Sequence, residues 1–195
     1  MLLAIQILFL LAQLALLVWV LGFLYRAVSD LMSIPLDVPF VPTPTRYAKQ
    51  IAEALALNAD DTLYELGSGD GRMLLAFARM CPEARFVGIE RNILLYLQSV
   101  ARKRLHRSAR NVEFRHANIF ASDFSEATKV YTYLLTSVMD RLYPELEKNA
   151  HVVVASRAFR FTGKSPLQEI RIAKRDGSHN EHMLYVYELQ RGSRE

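Results

Sequence analysis

Leu63-Tyr64-Glu65-Leu66-Gly67-Ser68-Gly69-Asp70-Gly71-Arg72 decides how this chain is read. An apolar strand over 62–66 ends in an acid, turns on three glycines spaced two apart, and opens a helix over 72–80. Glycine permits positive φ and close approach of a ligand to the backbone. In an open parallel sheet, such a turn lies at the carboxyl edge of the strands, where α/β proteins bind ligands. Two nucleotide signatures fail on spacing. Counted from Gly67, the third glycine of G-x-G-x-x-G falls on Arg72, and no G-x-x-x-x-G-K-[ST] is present.

Outward from this turn, apolar periodicity alternates between strand and helix. Strands are expected over 85–89, 112–116, 129–135 and 151–157, with helices over 92–107 and 138–148. Leu94, Leu97, Ala101 and Leu105 share one face of the 92–107 helix, which predicts that this face is buried. Upstream, Thr45 is expected to cap a helix over 45–57 that carries Tyr47, Ile51 and Leu55 at helical spacing. Two final strands, 168–174 and 182–189, are joined by a loop holding Asp176-Gly177 and read as an antiparallel pair. Five β-α units followed by that pair predict an α/β, Rossmann-like, seven-stranded, mostly parallel sheet with helices on both faces.

Charge divides the chain. Residues 1–25 carry none of the 44 Lys, Arg, Asp and Glu side chains. Crossing about 30 Å of hydrocarbon takes roughly 20 apolar residues, and 2–25 supply them. A signal peptide would begin with a basic region and have a shorter core, so a retained single-pass anchor is expected over 1–25. Arg26 on its carboxyl side predicts a cytoplasmic domain. Four of the seven prolines fall in 35–44, so 26–44 reads as an extended connector, followed by the domain over 45–195. The single cysteine, Cys81, excludes an intrachain disulfide and a Cys-based zinc cluster. The five histidines show no ligand spacing, and no metal site is expected. Arg102, Lys103, Arg104, Arg107 and Arg110 form a basic cluster, read either as a solvated helix end or as a contact for anionic lipid. The net charge of +4 lacks interleaved aromatics, so no nucleic acid is expected.

The acid-x-G-x-G-x-G spacing resembles motif I of the class I S-adenosylmethionine-dependent methyltransferases. That resemblance places Glu65, Gly67, Ser68, Gly69 and Gly71 around the cofactor. An acid about 20 residues beyond the glycines can accept from ribose hydroxyls, and Glu90 in Phe86-Val87-Gly88-Ile89-Glu90 lies there, followed by Arg91. His116-Ala117-Asn118-Ile119-Phe120 is similar to the family's adenine-contacting element, with Asn118 where aspartate is usual and Ile119 beside it. The likeness narrows with Pro39-Phe40-Val41-Pro42-Thr43 and Ala158-Phe159-Arg160-Phe161. These resemble small membrane-anchored protein-lysine methyltransferases related to the enzymes that modify the ATP synthase c-subunit and the adenine nucleotide translocase. Tyr133-Leu134-Leu135-Thr136-Ser137-Val138-Met139 keeps that family's leucines and methionine but has Thr136 where proline is common.

The resemblance implies methyl transfer from S-adenosylmethionine to a lysine of a membrane-associated protein. Phe40, Thr43 and Tyr133 are expected at the substrate channel or rim, and Asp140 on the surface of its helix. No catalytic side chain is assigned, because the cofactor supplies the reactive methyl group and the protein aligns it. The target lysine must be neutral, which a desolvated channel favours. Two other readings stand beside this one: methylation of a small or lipid-like molecule at the bilayer, and a cofactor-binding scaffold without catalysis. With no Arg/Ser-rich amphipathic presequence, a prokaryotic plasma membrane is expected, and a mitochondrial membrane is the alternative.

Overall fold

The computed structural model describes residues 1–33, 40–106, 109–148, 151–172 and 182–190. The chain divides into two units, Met1–Phe40 and Val41–Glu195.

The first unit contains helix α1, Leu2–Ser33. Its segment Leu2–Val28 is long and apolar enough to cross a membrane by length and composition, and it is wholly exposed. Trp19 stacks on Phe23 one turn later. The helix runs past Tyr25 because Arg26 and Asp30 are compatible with helix, and no proline intervenes before Pro35.

The second unit is a seven-stranded sheet with strand order β3-β2-β1-β4-β5-β7-β6. Its strands are β1 (Thr62–Leu66), β2 (Arg85–Glu90), β3 (Val112–His116), β4 (Lys129–Thr132), β5 (His151–Arg157), β6 (Gln168–Ile172) and β7 (His182–Gln190). The first five pair in parallel, and β7 pairs antiparallel with both β5 and β6. This is the expected fold class. Helices α2 (Ala48–Ala54), α3 (Arg72–Met80), α4 (Ile93–Arg104) and α5 (Thr136–Leu146) connect the parallel strands or precede them. One sheet face presents Leu63, Phe86, Val112 and Ala155 to Ile51, Leu55, Leu74 and Phe77 of the α2–α3 layer. On the opposite face, Met139 of α5 lies against Ser156 of β5.

Several boundaries differ from expectation for identifiable reasons. Thr45 caps nothing: it begins a 3-10 turn, Thr45–Tyr47, with Pro44 at the cap position. That turn leads into α2, which ends at Ala54, and Ala56 then takes a positive φ of 46°. Tyr47, Ile51 and Leu55 are nevertheless buried. Strand β4 stops at Thr132, and Leu135, in extended conformation, is the cap from which α5 starts. The loop with Asp176-Gly177 lies outside the described residues.

Helix α4 turns a different face inward. Asn92 caps it, its Oδ1 accepting from the Leu94 and Leu95 N–H groups. Leu95 and Ser99 are buried, whereas Leu97 is 53% and Leu105 82% exposed. The expected Leu94–Leu97–Ala101–Leu105 face is therefore not the packed one. Ser99 sits so close to the glycine turn that a Cβ on Gly71 would lie 2.8 Å from the Ser99 Cβ. Close approach of small residues, together with Arg102 reaching inward to Asp70, orients this helix.

Phe114 of β3 fills the space that the missing side chains leave. A Cβ on Gly88 would stand 2.7 Å from Phe114 Cδ1 and 2.9 Å from Ser68 Cβ. Gly88→Ala is expected to cost about 1–3 kcal/mol by overpacking, measured by denaturant unfolding of the purified protein, and Phe114→Leu in the same chain recovers part of that loss.

Candidate active site

The site is built where the glycine turn meets the ends of β1 and β2. Gly67, Gly69 and Gly71 all adopt positive φ, at 75°, 55° and 73°. Side chains larger than hydrogen are strained there. The turn lies flat on β2, because the N–H groups of Gly67 and Ser68 both donate to the Ile89 carbonyl at 3.0 Å. Glu90 closes it: one carboxylate oxygen accepts from Gly69 N–H at 2.8 Å and the other from Asn92 N–H at 2.7 Å. Burial raises the Glu90 carboxyl pKa against the lowering effect of these donors.

Glu65, one residue before the end of β1, is 5% exposed. Burial pushes its pKa well up, and nearby Asp70 and Glu90 add to the rise, against a lowering contribution from the Leu74 N–H. Asp70 is buried between two guanidinium groups, Arg72 at 2.5 Å and Arg102 at 2.9 Å. Arg102 thus leaves the surface cluster to which its sequence neighbours belong and holds the glycine turn instead.

The other expected site residues fall into two places. Asn118 caps a 3-10 turn, Ile119–Ala121, accepting from Phe120 N–H at 3.2 Å. The Ala117 N–H donates to the Glu90 carbonyl, and the His116 ring to the Arg91 carbonyl, so Arg91, Asn118 and Ile119 adjoin the Glu90 end of the site. Thr43 and Tyr133 meet near the ends of β4 and β5 through Arg157. The Arg157 guanidinium donates to Thr43 Oγ1 at 2.8 Å and lies 4.5 Å from the Tyr133 ring centroid. Tyr131 Oη is 3.1 Å from the same Thr43 oxygen, and burial pushes its pKa upward. Phe40 belongs to the N-terminal unit rather than to the unit that holds these residues. Asp140 is partly buried and accepts from both the N–H and the hydroxyl of Thr162 at 2.7 and 2.6 Å, which pins the segment after β5.

Tyr131, Arg157 and the Asp70–Arg102 pair adjoin the expected residues and were not legible from the sequence. Arg157 ends an apolar strand, where a charge looks like a strand end entering solvent, but its partner Thr43 lies 114 residues away. The residues fit a cationic nucleoside ligand. Glu65 Oε2 and Ser68 Oγ are buried without partners among the described residues, which is costly unless a ligand supplies them. Asp70 is paired with two guanidinium groups, whereas Glu65 and Glu90 are buried carboxyl groups that no guanidinium pairs among the described residues, which favours a positive ligand. Glu90, beside the glycine turn, keeps acceptor capacity for hydroxyls.

Strand order, glycine turn and acid placement together define an S-adenosylmethionine-dependent methyltransferase. The model of the ANTKMT methyltransferase domain matches residues 65–168, and the chain belongs to that family. A protein-lysine N-methyltransferase from Saccharolobus islandicus is 34% identical over 158 residues, spanning 80% of this chain and 96% of that protein. A lysine N-methyltransferase of the ATP synthase C-subunit, from Caenorhabditis elegans, is 31% identical over 57% of this chain and 60% of its own. Among solved structures, an RNA methyltransferase from Salinibacter ruber in complex with S-adenosyl-L-homocysteine superposes with a TM-score of 0.70 at 32% identity. That match covers 80% of this chain and 97% of that one. S-adenosylmethionine is the cofactor of this fold and family.

The elevated Glu65 pKa has a signed consequence. The folded chain holds this proton more tightly than the unfolded chain, so ionisation opposes folding above the ordinary glutamate value of about 4.3. Glu65→Gln is expected to raise the ligand-free melting temperature at neutral pH by about 2–4 °C for a gain on the order of 1 kcal/mol. The gain vanishes below about pH 4, where both states are protonated. The same variant is expected to bind S-adenosylmethionine roughly tenfold more weakly, having lost a charged partner. Thermal unfolding across pH and calorimetric titration check both halves.

Proposed function

We propose that this chain is a membrane-anchored protein-lysine methyltransferase that acts on a membrane-associated protein. The observation that carries the reading is the 34% identity to a protein-lysine N-methyltransferase over 80% of the chain, the site included. The second relative, named for lysine methylation of an ATP synthase component, supports a protein substrate in the membrane. Helix α1 supports the anchor. Arg26, within α1 and just after the uncharged run 1–25, supports a cytoplasmic domain.

The cofactor, when bound, supplies an electrophilic methyl group on a sulfonium. The chain's own residues bind and align. The glycine turn would admit the cofactor's amino-acid end close to the backbone, Glu90 would accept from ribose hydroxyls, and Asn118 with Ile119 would border the adenine. Tyr131, Tyr133 and Phe159 exclude water at the other end, with the Tyr133 and Phe159 rings 5.9 Å apart. Burial keeps the Tyr131 hydroxyl un-ionised well above neutral pH. A lysine entering this aromatic surround loses hydration, which favours its neutral, nucleophilic form.

The exposed end of α4 suits the headgroups of anionic lipid. Leu97, Leu105, Arg104 and Arg110 are all exposed there. A basic residue near such a surface is worth about 1 kcal/mol. In full-length protein reconstituted in nanodiscs, adding anionic lipid is expected to slow hydrogen exchange of residues 97–106. Replacing Lys103, Arg104 and Arg110 by glutamine is expected to remove that slowing. Exchange that ignores lipid charge contradicts the contact.

RNA methylation is a second reading, favoured by the name of the Salinibacter ruber structure. One experiment separates the possibilities. Crude membranes incubated with full-length enzyme and methyl-labelled S-adenosylmethionine are expected to yield label that protease releases, with methyl-lysine found by mass spectrometry. Glu90→Ala is expected to lower incorporation by at least tenfold. Label released by nuclease, or extracted into organic solvent, would overturn the lysine reading in favour of RNA or a lipid-like substrate.

A further inference from the structure

Arg157 is a buried cation that no carboxylate among the described residues pairs. It ends β5 and is 3% exposed. Among the described residues it pairs with no carboxylate, and its Nε is buried with no hydrogen-bond partner. What holds it is a hydroxyl and two ring faces. Nη1 donates to Thr43 Oγ1 at 2.8 Å, and the guanidinium carbon lies 4.5 Å from the Tyr133 ring centroid and 5.4 Å from that of Tyr47. Rings and a hydroxyl fix its plane but leave its charge uncompensated. A buried charge is stable when paired, and costly when its partner is absent.

A group that can supply the opposite charge stands one strand beyond Tyr131. Glu65 is the direct neighbour of Tyr131 across the β1–β4 pairing, and its Oε2 is likewise buried without a partner. Tyr131 feels both groups: Glu65 raises the pKa of its phenol and Arg157 lowers it. The Tyr131 and Arg157 heads also share the Thr43 hydroxyl. A buried carboxyl group and a buried guanidinium, each with an atom unpartnered among the described residues, therefore flank one tyrosine at the carboxyl edge of the sheet. An α-amino acid carries the complementary pair, an ammonium and a carboxylate on one carbon. A guanidinium is suited to the carboxylate by its planar fork of donors.

We propose that Arg157, steadied by Thr43, binds the carboxylate at the amino-acid end of the cofactor, with Glu65 facing its ammonium. This assigns a recognition role to the segment around Thr43, which the glycine turn alone does not explain. It also accounts for a charged residue at the end of an otherwise apolar strand.

The test compares two ligands on full-length protein in detergent by calorimetry or equilibrium dialysis. S-adenosylhomocysteine carries the amino-acid end, and 5′-methylthioadenosine has the same nucleoside and thioether without it. Arg157→Gln is expected to weaken S-adenosylhomocysteine binding on the order of 10- to 100-fold, the range for a charge-assisted hydrogen bond, while 5′-methylthioadenosine changes less than about twofold, since it lacks the group. Arg157→Lys, which keeps the charge, is expected to recover part of the loss. Thr43→Val, which keeps the shape and removes the hydroxyl, is expected to show the same selectivity at smaller size, and it stands in should Arg157→Gln not fold. Equal weakening of both ligands, or of neither, overturns the proposal and leaves Arg157 as a brace for Thr43. Wild-type protein that binds neither ligand overturns the cofactor site itself, a distinguishable failure.

Discussion

The structure depends on a turn through three left-handed glycines, held by a carboxylate at the end of the neighbouring strand. Gly67, Gly69 and Gly71 bend the chain through left-handed conformations, and Glu90 captures the Gly69 N–H that the bend exposes. The turn in turn sets how tightly its surroundings pack. Phe114 occupies the room left by Gly71 and Gly88, Ser99 of α4 closes on Gly71, and Asp70 draws Arg72 and Arg102 over the turn. A side chain at Gly71 would push back on β3 and α4 together, and one at Gly88 on β3 and on Ser68 of the turn. The candidate site and the local core are thus built from the same residues, so that a change in the turn disturbs both.

Charge gives the site its selectivity. Glu65, Asp70 and Glu90 crowd one end, and burial makes the ionisation of Glu65 and Glu90 difficult. Such a cluster is unfavourable by itself and is relieved by a cation. A nucleoside carrying a sulfonium meets that need, whereas a dinucleotide pyrophosphate would add to the repulsion. The absence of the third dinucleotide glycine and the presence of buried acids therefore select the same class of ligand. The chain also carries a helix, Leu2–Val28, of membrane-spanning length and composition. Tethering to the bilayer would raise the effective concentration of substrates held there.

Much of this was legible in the sequence, because the signals were local. Strand limits for β1, β3 and β5 and the limits of α3 follow from apolar runs bounded by turns and a proline. Glu65 and Glu90 were legible because their spacing from the glycines is a matter of counting. The errors came from contacts between distant residues. The exposed Leu97–Leu105 stripe of α4 has the period of a core face, but the glycine turn and Asp70 recruited Ser99 and Arg102 instead. Thr45 looked like a cap because capping is read from residue type, yet Pro44 led the chain into a 3-10 turn. Arg157 was invisible because its environment is assembled from Tyr47, Thr43 and Tyr133, two of them more than a hundred residues away in sequence.

The central claim is that buried carboxylates around the glycine turn bind the cofactor as a cation. Calorimetric titration of the full-length protein with S-adenosylmethionine, at about pH 6 in two buffers of different ionisation enthalpy, tests it most directly. The account predicts one site per chain and net release of protons to the buffer, as Glu65 ionises against the bound positive charge. Saturable binding with no proton release would contradict the role given to Glu65, and the absence of saturable binding would contradict the account as a whole.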